Sequence, residues 1–391
     1  MNNYPVEFYD LLSRALGGND SKRLQGFLDN VMAEKYNTLQ LDGFTFDPDM
    51  QLDFTYEQFQ KELSITPMAN YYDLNSPAIP RATEGAKSWT GKIPRMKDVE
   101  YLNEDKIRKQ MLLEQRTAAV GADRVRMAAL NDLFVTVDTL IGGHTNSLTF
   151  QRHQMVSKAQ FEITSANNPK GIAGIQFSAH VPSGNKTTLS STARWWTNAA
   201  LTTEGSASDP VADMKKMVDI ASEAGVNAVH FEINKSYFKK ILGHSKVLKA
   251  IALNIFPTVD STTTTPSVAV MTDAVKKQTL EAIIGAPIKV VDSMVSVERP
   301  SKTEGTFVKQ NLQAFEPNVV VLVPDGSIGR VITVEPIALP GGTYGNFYDG
   351  KLLLTVGVDA VKKCQSFNTE MTSLVVPESP QYMWYLYPNN A

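Results

Sequence analysis

The residues that could do chemistry are few, and their spacing fits no complete catalytic pattern. Gly85, Ala86, Lys87 and Ser88 have the types that close a phosphate-cradling loop, where backbone amides and a lysine hold the anion. Such a loop needs a glycine five residues before Gly85 and an apolar strand leading in; Pro80 stands there instead, and no such strand precedes it. The stretch from Pro324 to Gly329, PDGSIG, approaches a nucleophile elbow, but Asp325 occupies the first glycine position, and a turn after an apolar strand explains it equally well. His144, His153, His180, His230 and His244 never pair at the i, i+4 spacing of a zinc-binding helix, so they read as structural. Cys364 has no histidine nearby in sequence and reads as a small core residue. Acidic residues are numerous, and spacing alone selects no acid–base pair. No active site, metal or cofactor is expected.

The bulk properties agree. A chain of 391 residues, 42% hydrophobic and 20% charged, can bury a sizeable core. Its net charge of -3 gives no global attraction to nucleic acid or to an anionic membrane. The single cysteine excludes an internal disulfide framework and fits a reducing compartment. The amino terminus lacks a basic start followed by an apolar run, and no stretch of eighteen apolar residues occurs, so neither an export signal nor a membrane span is expected.

The elements that would position any functional residue follow in a definite order. Residues 5–35 read as two short amphipathic helices separated by Gly17, Gly18 and Asn19. Residues 40–100 are interrupted by Pro48, Pro67, Pro77, Pro80 and Pro94, so no long helix fits. Within them, residues 79–101 form a polar arm with charges of both signs and a lone Trp89, and 79–97 supply no apolar stripe to a core. From Asn103 the pattern is helical, with Leu130, Phe134, Val137 and Ile141 on one face, and it is expected to stop at Gly142 and Gly143. SLTFQRHQMVSKAQFEIT (147–164) and GIQFSAHV (174–181) then read as β-rich, and Trp195 and Trp196 as core or subunit-contact residues, pointing to opposite sides if the chain is extended there. Residues 209–340 alternate helix and strand, with 258–267, 299–310 and 339–350 as exposed loops, and the tail returns to β.

This order of leader helices, polar arm, long helix, β layer, inserted α/β unit and returning β tail resembles the major capsid proteins of tailed phages, the Hong Kong 97 fold. Within it the lambda-type major capsid protein E family is the nearest likeness. Supporting stretches are GAKSWTGKIPRMKDVEYL before the long helix, NAVHFEINKSYFKKILGH, TLEAIIGAPIKVVDS, EPNVVVLVPDGSIGRV and TSLVVPESPQYMWYLYP. The resemblance implies an α+β fold with an N-terminal arm (1–50), an extended E-loop hairpin (51–102), a peripheral domain with a spine helix (103–204), an axial α/β domain (205–345) and returning peripheral strands (346–391). It also implies that the arm lies across a neighbouring subunit, with Arg81, Glu84, Lys87, Trp89, Lys92 and Arg95 as intersubunit contacts. Lys106, Arg108, Lys109 and Arg116 would face the lumen and touch packaged DNA weakly and nonspecifically.

The implied function is a structural subunit that self-assembles into hexamers and pentamers of an icosahedral head around double-stranded DNA. It would be found in the virion and assembled in the host cytoplasm. No membrane partner is implied. A long helical leader that could serve as a fused scaffold is missing, which implies scaffolding by a separate protein; the resemblance adds a portal protein as partner and leaves open whether decoration proteins bind. Covalent cross-linking is not carried over, because Lys87, Lys92 and Lys97 have no identifiable partners in one sequence. Two alternatives stand beside this reading: an encapsulin-like compartment shell, and a cytosolic α/β enzyme with a closed pocket within 205–345.

Overall fold

The computed structural model describes residues 41–61, 86–102, 123–255, 268, 271–300, 307–338, 343–359 and 364–389. The expected leader helices, the stretch Asn103–Gly121 and the whole 258–267 loop lie outside them. Helix and sheet are mixed, and two hydrophobic clusters share one sheet between them.

The first cluster forms on a six-stranded sheet in the order β1 (Phe44–Phe46), β13 (Gly329–Val334), β16 (Cys364–Pro377), β15 (Leu352–Asp359), β14 (Thr343–Phe347), with β4 (Arg95–Leu102) also paired to β16. One long helix, α1 (Asp123–Lys158), lies against it. The expected stop at Gly142 and Gly143 does not occur. A Cβ at Gly142 would meet nothing, whereas one at Gly143 would sit 3.3 Å from Asp98 Oδ2 of β4, so the second glycine lets helix and strand approach closely. Residues 147–158, expected as strand, are helix. Their pattern misled because Gln151 to Ser157 are buried on every side, which leaves no helical stripe to read. The helix ends where Ala159 turns left-handed, φ 59°, and only then does β5 (Gln160–Ile163) pair with β6 (Ile175–Ser178). The α1 side chains are tied to the sheet by a His144 Nε2–Thr369 Oγ1 hydrogen bond of 2.9 Å and by Val375 N donating to Gln151 Oε1 at 3.2 Å.

The second cluster lies under a five-stranded sheet, β7 (Lys186–Thr188), β17 (Trp384–Tyr387), β12 (Val320–Pro324), β8 (Val229–Asn234), β9 (Ile288–Val291). Of the helices covering it, Pro210–Glu223, Lys235–Leu242 and Asp273–Ile284 are those the alternation anticipates, Ser245–Ile255 is not, and their ends are local chemistry. Asp209 caps α2 (Pro210–Glu223) through Ala212 N at 3.1 Å, and Asn234 caps α3 (Lys235–Leu242) through Ser236 N at 2.9 Å. After α4 (Ser245–Ile255), α5 (Asp273–Ile284) closes on Gly285 at φ 82°. Phe231, Ile233, Val320, Leu322, Trp384 and Leu386 face this helical layer, while Val321, Val323 and Tyr385 face the first cluster. The sheets are shared across the expected boundaries: β13 and β14 lie in the six-stranded sheet, and β17 lies in the five-stranded one.

Three further expectations are corrected. Within the expected 339–350 loop, Thr343–Phe347 is strand β14, paired with β15, and Phe347 and Tyr348 are buried. The stretch 299–310 is not simply loop, because β10 (Met294–Pro300) and β11 (Phe307–Gln313) form an antiparallel ribbon. Its β11 is almost wholly exposed, so it lacks the one-sided alternation that marks a strand in sequence. Trp195 and Trp196 do not point apart. The chain bends there, and both are buried against Tyr237, their ring centroids 6.3 Å apart and edge-on at 72°. Trp195 Nε1 donates to Asp213 Oδ2 at 2.8 Å.

Candidate functional site

Two features stand out beyond ordinary core packing: a ribbon without a core of its own, and a charge cluster buried where the two sheets meet.

The ribbon pairs β2 (Thr55–Lys61) with β3 (Ala86–Lys92), from Thr55 opposite Lys92 to Lys61 opposite Ala86, and these strands pair with no other described strand. A strand at this position removes the P-loop reading of Gly85 to Ser88, because the lysine sits in an antiparallel ladder rather than opening a helix. The base is firmly seated. Gln51 N donates to Thr333 O at 3.0 Å, Glu335 N donates to Gln51 O at 2.9 Å, and the Gln51 amide bonds Asp53 O and Thr55 O at 2.9 Å each. Ile93 N donates to Phe54 O at 2.8 Å, and the buried Tyr56 ring covers Gly91, where a Cβ would lie 2.5 Å from Cε1. Beside this base Leu52 and Phe54 are exposed, at 79% and 48%. An isolated two-stranded ribbon is at best marginal in water, so this arrangement offers backbone edges and apolar side chains to another surface.

Of the residues expected to make intersubunit contacts, Arg81 and Glu84 lie outside the described residues. The backbones of Lys87 and Trp89 stand opposite Gln60 and Gln58, and Lys92 is exposed at the root of the ribbon. Arg95 differs from the rest. It belongs to β4 and forms an ion pair with Glu370 of its own chain, which Lys97 also approaches at 3.3 Å. The polar arm therefore ends earlier than expected: Ile93 and Pro94 are buried, so deleting 79–97 would cut into the core. Lys106, Arg108, Lys109 and Arg116 lie outside the described residues.

The charge cluster was not legible as a site. In β8 the polar residues His230, Glu232 and Asn234 alternate with Phe231 and Ile233, and their face turns toward α1. Arg152 of α1 meets Glu232 there in a two-pronged pair, Nη1 to Oε2 at 2.6 Å and Nη2 to Oε1, with both side chains essentially inaccessible. Arg152 Nη2 also donates to Asp42 O at 3.1 Å. Lys289 of β9 stands 3.6 Å from Glu232 and 2.8 Å from the Asp42 carboxylate, and His230 bonds Asp325 at 2.5 Å through Nδ1. Burial alone would raise the Glu232 pKa. Instead His230 at 3.6 Å and the Arg152 and Lys289 charges outweigh it and hold the carboxyl well below its ordinary range. Burial, helped by Arg152, lowers His153 to about 4, and burial likewise lowers His144 to about 4, so both rings are neutral at pH 7.

The sequence signal for the cluster was a carboxylate set between two large apolar residues, Phe231 and Ile233, in a strand expected to be buried, where it needs a cation. The partner is 80 residues away.

A groove of about 480 Å³ lies between β4, α1, the β5–β6 hairpin and the β10–β11 ribbon, floored by Phe150, Phe161, Val295 and Leu312. No histidine, cysteine or carboxylate lines it. Among the described residues, no group of three or more His, Cys, Asp or Glu could hold a metal ion, and no helix is long and apolar enough to cross a membrane.

The sequence profile described as phage major capsid protein E matches residues 30–346. A match over that share of the chain defines a structural, non-enzymatic protein, the subunit of a phage capsid. The chain belongs to the phage major capsid protein E family. No curated protein matches the sequence at a significant level. Solved structures resemble it more loosely. A phage-related protein of Bordetella bronchiseptica is 13% identical at a TM-score of 0.46, over 97% of this chain and 96% of that one. The capsid of cyanophage P-SCSP1u is 10% identical at 0.43, over 89% of this chain and 87% of that one.

Proposed function

We propose that this capsid subunit packs as hexamers and pentamers of an icosahedral head enclosing double-stranded DNA. In this reading β2–β3 is the root of an E-loop whose outer part lies across a neighbouring subunit, and α1 is the spine of a peripheral domain. The second cluster with its helices is the core of an axial domain. The single observation that carries the reading is the β2–β3 ribbon: its root is bonded to β13, yet it pairs with no other described strand. Structure of that kind is stabilised when another chain covers it, by backbone addition at its edges and burial of Leu52 and Phe54.

Lys87, Trp89 and Lys92, with Arg81 and Glu84 further out, are the proposed contacts. Arg95 contributes through the position of β4 rather than through a free charge. Lys106, Arg108, Lys109 and Arg116 are proposed to face packaged DNA, where screened, nonspecific attraction suffices. Scaffolding, portal and decoration proteins are proposed as separate partners, with assembly in the host cytoplasm. Size-exclusion chromatography with negative-stain microscopy of the purified chain tests the reading. Capsomers or closed shells are expected; a compact monomer at high concentration would refute it.

A further inference from the structure

The turn 325–328 joins β12 to β13, and these strands belong to different sheets. The turn is held from three directions. Asp325 N donates to Ala228 O at 2.9 Å, while Ile328 N and Gly329 N both donate to Gly43 O, at 2.6 and 3.1 Å. The Asp325 carboxylate meets His230 Nδ1 at 2.5 Å. The other contacts fix the backbone; this one becomes a contact between opposite charges only when His230 is protonated.

We propose that this joint is a proton-sensitive latch, in which protonated His230 ties the Asp325 turn to β8 and its deprotonation loosens the turn while Arg152–Glu232 stays closed.

Counting charges supports it. With His230 neutral, three carboxylates, Asp42, Glu232 and Asp325, face two cations, Arg152 and Lys289. One proton on His230 balances the cluster. Of the remaining titratable neighbours, His153 contacts Arg152 at 3.1 Å and is neutral throughout the relevant range, and Tyr385, whose hydroxyl pKa is pushed up by burial and by the nearby Tyr387 and Glu232, stays protonated. Solvent access divides the roles: the Asp325 side chain is 48% exposed and His230 16%, so this end can exchange protons, whereas Glu232 at 0% cannot readily do so.

Burial works against a charged His230 ring, but the contacts with Glu232 and Asp325 outweigh it and raise its pKa above the ordinary value. A raised histidine stabilises fully below its unfolded pKa near 6.5, and the contribution is lost as pH rises through the folded value. Glu232, shifted down, does not titrate in this window. The latch is therefore closed in mild acid and opens toward alkaline pH.

Backbone hydrogen exchange read by mass spectrometry at pH 6 and pH 8.5, corrected for intrinsic rates, tests this on the purified chain. Protection of residues 325–330 is expected to fall several-fold at the higher pH, and His230→Gln should abolish that difference. Exchange at the His230 ring carbon reports its pKa directly, and Asp325→Asn should lower it without removing a core residue. Equal protection at both pH values, or a His230 pKa at or below the ordinary value and unmoved by Asp325→Asn, would overturn the proposal.

Discussion

Replacing Arg152 with leucine leaves the Glu232 carboxylate at 0% exposure with its bidentate partner gone. Lys289 at 3.6 Å and His230 at the same distance compensate only in part, since neither reaches hydrogen-bond distance. Removing one member of a buried pair costs about 3–5 kcal/mol. For a cooperative unit of 391 residues, an unfolding entropy of about 2.1 cal/mol/K per residue turns that into a fall of roughly 4–6 °C in Tm. The double variant Arg152→Leu with Glu232→Val removes both charges and should recover most of the loss, because hydrophobic replacement of a buried pair is often neutral. The pH profile separates the charge from the packing. Because the Glu232 pKa is depressed, its contribution is complete above about 4.5 and is lost as pH falls toward the folded value. Wild type should therefore lose stability between pH 5 and 3 more steeply than the double variant. Urea midpoints at constant slope are the assay. A single-variant cost below about 1 kcal/mol, or a double variant as unstable as the sum of both single changes, would refute the reasoning.

Replacing residues 62–85 with a short turn, so that Lys61 and Ala86 stay paired, should leave the melting temperature nearly unchanged and abolish shells on negative-stain grids. Gly91→Val drives a side chain into the Tyr56 ring and should cost about 1–3 kcal/mol, read as faster amide exchange confined to β2 and β3. Trp196→Ala removes a buried ring that packs on Tyr237 and His244, and a loss of about 3–5 kcal/mol in chemical denaturation is expected. Changing Lys106, Arg108 and Lys109 together to glutamine should spare empty-shell assembly and modestly shorten genome retention on heating.

What the sequence discloses is mostly local. Asp209, Asn234 and Gly285 mark helix ends because a cap needs only its own turn of chain. The strand VHFEIN is readable as a strand but not as a two-sided one, since only α1 crossing above it turns His230, Glu232 and Asn234 inward. Residues 147–158 were misread for the opposite reason: burial on all sides erases periodicity. β11 escaped because it is exposed on both faces. The ribbon was legible as a segment without a core, but its boundary was not, because Ile93 and Pro94 are buried and Arg95 opens β4, whose partner β16 lies some 270 residues later. The pairing of Arg152 with Glu232 depends on tertiary structure alone, and no spacing rule reaches across it.

The proposed assembly rests on one chain covering another with its ribbon. Cryo-electron microscopy of the assembled particle measures this most directly. The prediction is a closed shell in which the β2–β3 ribbon of each subunit leaves its own sheet at Gln51 and lies on a neighbouring copy, with Leu52 and Phe54 buried at the contact. A ribbon folded back on its own subunit, with Leu52 and Phe54 still exposed in the shell, would contradict it.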